Sequence, residues 1–127
     1  SRLWPTFTQH SGLPADRLSH DPQVGAAYLA DPLVHDLVTA RFFTELIGAQ
    51  EEVLARAGEL TLPCLFLQGG DDALVDAQAT RELYERAASA DKTLRWYDGL
   101  YHEVHNEAER ERVLADLVEW LDARAGS

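Results

Sequence analysis

Two short stretches of the 127-residue chain carry residue types suited to acid–base chemistry. The first is "QGGDDALVD", residues 68–76, with carboxylates at Asp71 and Asp72 behind two glycines. The second is "LYHEVHNE", residues 100–107, with imidazoles at His102 and His105. A carboxylate that accepts the His Nδ1–H fixes the ring tautomer and stabilises the imidazolium; the other ring nitrogen then takes a proton from a nucleophile. The residues alone leave open which carboxylate and which histidine would pair. A His-x-x-His pair near aspartates also hints at a metal, but the zinc-protease pattern is His-Glu-x-x-His, with the histidines four apart on a helix. No metal is therefore expected here. His10, His20 and His35 read as ordinary histidines.

For the two stretches to meet, the elements before them must end on one edge. "LTLPCLFLQGG" (60–70) is a short apolar run closed by glycines, the pattern of a buried parallel strand. "DAQATRELYERAAS" (76–89) reads as a helix, "KTLRWYDG" (92–99) as a second strand, and "EAERERVLADLVEWLDARA" (107–125) as a final helix. Val113, Leu117, Trp120 and Leu121 form its apolar stripe. This β-α-β-α order implies parallel strands joined by a crossover, and sites in open α/β sheets collect at the carboxyl ends of such strands. Both stretches lie there. Two parallel strands make a poor core alone, so more sheet is expected, from N-terminal sequence or another chain.

The earlier half is less regular. Residues 1–20 lack sustained periodicity and read as an irregular arm. "DPQVGAAYLA" (21–30) begins with an Asp N-cap and Pro at the first helical position. The same Asp-Pro opening recurs at residues 31–32 and predicts a helix running towards Gly58, interrupted at Gly48. Val38, Phe42, Leu46, Ala49 and Val53 supply its helical spacing.

Composition excludes several partner classes. A net charge of −11 with only 11 Lys and Arg is wrong for nucleic acid or an anionic membrane surface. Cys64, the single cysteine, lies in "LPCLFLQ" and reads as a small buried hydrophobe. It fits a reducing compartment; with neither a signal-peptide pattern nor an apolar run near about 18 residues, the expectation is cytoplasmic. The chain opens on Ser1 and contains no Met, as a piece of a longer chain would.

"LSHDPQVGAAYLADPLVHDLVTARFFTEL", "LFLQGGDDALVD" and "DKTLRWYDGLYHEVHNE" together resemble the monoacylglycerol lipase and lysophospholipase-like branch of the α/β-hydrolases. The resemblance covers roughly residues 13–124 and falls on the C-terminal half of that family, a lid followed by the last two strands. It implies that residues 1–58 are a cap-like helical segment and 59–127 the βαβα end of the core. The family's His-Gly-x-x-Asp-x-x-Val falls on "QGGDDALV", with Gln68 replacing the His, so Asp72 takes the catalytic-acid position and Asp71 a variable one. Gly-x-Tyr-His falls on "GLYH" and makes His102 the base, leaving His105 a supporting or structural role.

The family's nucleophile belongs to Gly-x-Ser-x-Gly, which is absent; Ser1, Ser11, Ser19, Ser89 and Ser127 all lack that context. The resemblance thus implies a serine esterase or lipase whose nucleophile and oxyanion hole lie outside this chain, leaving the chain inactive alone. No cofactor is implied. The substrate would be a small ester or lipid, and Trp4, Phe7, Phe42, Phe43, Leu46 and Ile47 are candidates to line its apolar cleft. The contrasting reading is a non-catalytic α/β module that dimerises through its open sheet edge; a homo-oligomer is also a candidate assembly.

Overall fold

The computed structural model describes residues 6–126. A first part holds strand β1 (Thr8–His10), helix α1 (Pro22–Ala30), strand β2 (Leu37–Thr39) and helix α2 (Ala40–Ala55). A second part runs as β3 (Cys64–Gly69), α3 (Ala77–Arg86), β4 (Lys92–Tyr97) and α4 (Arg110–Ala125). β3 and β4 are parallel and in register from Cys64 opposite Lys92 to Gly69 opposite Tyr97. Their final residues thus lie side by side, and both following loops leave from the same edge.

Alternation along the strands sorts the two covering helices. On β4, Thr93 accepts a hydrogen bond from the Trp120 indole and Tyr97 donates one to Asp116, both on α4. The intervening positions face α3: Arg81 lies over the Trp96 ring, and the Lys92 ammonium lies over Tyr84 and donates to the last carbonyls of α3. On β3, Phe66 meets Tyr84 edge-to-face, whereas Leu67 packs into the cluster of Tyr97, Leu100, Val104 and Val113. The core is therefore a two-stranded sheet between α3 and α4.

The starts of α1, α2 and α3 follow side-chain caps, whereas α4 has none. Asp21 accepts from Gln23 N, Thr39 from Phe42 N, and Asp76 from Gln78 N. The second Asp-Pro departs from expectation. The Asp31 side chain accepts from Leu33 N and its carbonyl from Val34 N, closing a turn rather than starting a helix. The chain then pairs antiparallel with Thr8–His10, so Val38 is in a strand and residues 8–10 are not irregular. α2 begins only at Ala40 and runs unbroken through Gly48. Its apolar residues are not covered: Phe42, Phe43, Leu46, Ile47 and Val53 are all exposed. On α4, Val113 is fully buried, but Leu121 is exposed, which narrows the expected stripe. No helix among the described residues is long and apolar enough to cross a membrane.

Candidate active site

Asp72 follows β3 by three residues, and His102 lies on the loop after β4. Close backbone approach brings them together. A Cβ on Gly69 would stand 2.1 Å from the Tyr101 carbonyl oxygen and 2.5 Å from that of Leu100, so only glycine lets the loop lie against the strand end. Asp71 N donates to Leu100 O at 3.0 Å, and Gly99, at φ +80°, turns the chain into that position.

His102 Nδ1 lies 2.8 Å from Asp72 Oδ2. A carboxylate can only accept, so Nδ1 carries the proton and Nε2 is left as the acceptor on a neutral ring. The Asp72 side chain is 2% exposed and that of His102 37%. Asp72 Oδ1 accepts from Leu74 N at 2.8 Å and Val75 N at 3.1 Å. Burial pushes the Asp72 carboxyl upward, but the hydrogen bonds from His102, Val75 and Leu74 outweigh it and hold the group below its ordinary range. The Asp72 carboxylate is thus ionised, oriented and shielded, while the His102 imidazole reaches solvent.

Gln68, which stands where the resemblance expects His, is buried. Its Nε2 donates to Asp72 Oδ2 at 3.3 Å and to Gly69 O, and its Oε1 accepts from Thr80 at 2.7 Å. Spacing could not expose this support, because it crosses from β3 to α3. Asp71 is exposed and takes no part in the pair. His105 is exposed on a 3-10 turn, residues 104–106, and its ring makes no hydrogen bond to another described residue. The Ser19 hydroxyl is shared between Asn106 O and the Glu107 carboxylate, that of Ser89 is given to Asp91 O, and no described serine hydrogen-bonds to His102. Of the cleft candidates, Phe7, Phe42, Phe43 and Leu46 are exposed. Ile47 lines a groove with Leu54, Leu74, Val75 and Leu83, and Trp4 lies outside the described residues.

The family model described as serine aminopeptidase, S33 (Hydrolase_4), matches residues 1–109, most of the chain. The chain belongs to that family. Its fold is that of the C-terminal part of an α/β-hydrolase. A monoacylglycerol lipase of Mycolicibacterium smegmatis is 44% identical over 110 residues, covering 86% of this chain and 39% of that protein. The monoglyceride lipase of Rattus norvegicus is 38% identical over 100 residues, covering 76% of this chain and 33% of that protein. The crystal structure of the Paleococcus ferrophilus monoacylglycerol lipase superposes with a TM-score of 0.89 at 30% identity, covering 94% of this chain and 47% of that one. The chain thus spans less than half the length of these relatives. It is a Hydrolase_4 chain similar to monoacylglycerol lipases.

Proposed function

We propose that Asp72 and His102 are the acid and base of a serine hydrolase acting on carboxylic esters, of the monoacylglycerol lipase or lysophospholipase kind. The observation that carries this reading is the 2.8 Å hydrogen bond between a buried, ionised Asp72 and a solvent-reaching His102 at the carboxyl ends of adjacent parallel strands. Asp72 holds the Nδ1–H and stabilises the imidazolium. His102 Nε2 takes the proton of a serine hydroxyl as that oxygen attacks the ester carbonyl, then protonates the departing alcohol. Water, deprotonated by the same nitrogen, releases the acid from the acyl-enzyme. The serine and the oxyanion donors come from sequence beyond this chain. Residues 1–58 act as the cap over residues 59–127, and the apolar groove beside Leu74 and Val75 carries part of an acyl chain.

The test is a fluorophosphonate probe, which reacts with activated serines. It should label a longer protein containing this chain and a Gly-x-Ser-x-Gly segment, and should not label the 127-residue chain alone. In the longer protein, His102→Ala should abolish labelling and ester turnover, and His105→Ala should retain most of both. Labelling of the short chain, or the reverse order of the two variants, would overturn the assignment.

A further inference from the structure

Beside the Asp72–His102 pair, Glu107 is the most completely buried charged group among the described residues, at 1% exposure. It sits between the 3-10 turn and α4. Its carboxylate accepts three hydrogen bonds, Oε1 from Tyr101 N at 2.8 Å and His20 Nδ1 at 2.9 Å and Oε2 from His20 N at 3.0 Å, while the Ser19 hydroxyl shares its one proton between Asn106 O at 3.0 Å and Oε2 at 3.2 Å. A buried carboxylate is costly unless its lone pairs are met, and here three N–H donors and a shared hydroxyl meet them. Burial pushes the group upward, and the donors from Tyr101 and His20 outweigh it, so it stays ionised.

The donors come from two distant segments. Ser19 and His20 precede α1, whereas Tyr101 directly precedes His102. Further links join the same segments. Glu103 N donates to Leu18 O at 2.8 Å, the His20 ring stacks on Tyr101 with centroids 3.7 Å apart, and Arg17 donates to the Tyr101 hydroxyl at 3.3 Å. The backbone N–H on each side of His102 is therefore engaged, Tyr101 N by Glu107 and Glu103 N by Leu18. The Asp72 hydrogen bond alone orients the ring; it does not hold the loop.

We propose that Glu107 is a positioning residue for His102, and that with Ser19 and His20 it latches the His102 loop to the segment leading into α1. The proposal rests on the reading of His102 as the base. Its structural content, that the latch maintains the His102–Asp72 hydrogen bond, has a readout independent of turnover.

That readout is the imidazole proton of His102 Nδ1 in ¹⁵N-labelled protein. Glu107→Gln keeps the size and one acceptor, but turns the other oxygen into an amide facing His20 N–H. In this variant the Nδ1–H should exchange with solvent roughly 10- to 100-fold faster, and in the longer protein kcat should fall by a similar factor with KM little changed. Lys92→Met, which loosens the C-terminus of α3 remotely, should leave the signal as in the parent. If Glu107→Gln does not fold, Ser19→Ala and His20→Phe decide, since each removes one donor and His20→Phe keeps the stacking. An unchanged Nδ1–H in folded Glu107→Gln, or in both lesser variants, overturns the latch. A faster-exchanging proton in a longer protein without esterase activity would uphold the latch and overturn the hydrolase reading.

Discussion

At Asp72 and His102 exposure sets the two groups apart. A carboxylate with 2% of its side chain exposed, held by two backbone N–H groups, loses little by staying charged, and the more exposed imidazole is the group able to meet a reactant. Asp72→Asn reverses the polarity of that contact by placing an amide against the ring, which favours the wrong tautomer. In the longer protein it should lower kcat on the order of 10⁴-fold while leaving the fold intact, as ester turnover and circular dichroism would show. The same residue predicts a pH dependence of stability. The folded state holds Asp72 below its ordinary range, so its contribution is complete above that range and is lost as the pH falls below about 4. Urea denaturation from neutral pH down to about pH 3 should show the stability gap between parent and Asp72→Asn closing on the acid side. A gap constant with pH would mean that Asp72 is not held ionised by the fold.

The elements place these residues through glycines and caps more than through the strands themselves. Gly69 and Gly48 offer a direct contrast. At Gly69 an added methyl collides with the backbone of the His102 loop, whereas at Gly48, within α2, nothing lies within 4 Å. Gly69→Ala should therefore destabilise by about 1–3 kcal/mol or more and displace His102. Gly48→Ala should stabilise by up to about 1 kcal/mol through helix propensity. Denaturant midpoints of the two variants should move in opposite directions. The βαβα elements were legible because each has one strong period and a clear boundary. The segment from Asp31 to Thr39 was not. Its Asp-Pro start matches that of α1 at Asp21, and only the presence of β1 as a pairing partner makes it turn and strand.

For the molecule as a whole, a two-stranded parallel sheet covered by α3 and α4 leaves strand edges unpaired among the described residues, and α2 exposes Phe42, Phe43, Leu46, Ile47 and Val53. Unpaired edges and apolar faces of this kind drive association. The chain by itself should bind a hydrophobic dye and sediment as larger species at rising concentration despite its net charge of −11, whereas a longer protein that covers these surfaces should not. A dye-silent monomer at all concentrations would show that the surfaces are already satisfied.

By itself the sequence determined the order of elements in the second half, the side on which their loops emerge, the family, and the two motifs holding Asp72 and His102. These depend on local periods and short fixed spacings, which one chain read in order displays. Tertiary structure decided what joins distant segments. It brought Asp72, which the resemblance had singled out over Asp71, to 2.8 Å from His102, and gave Gln68 a role bridging Asp72 and Thr80. It also turned His20, which reads as an ordinary histidine, into a partner of buried Glu107. Such contacts obey no spacing rule, because hydrogen bonds act on distance in space and the fold alone brings residue 20 to residue 107.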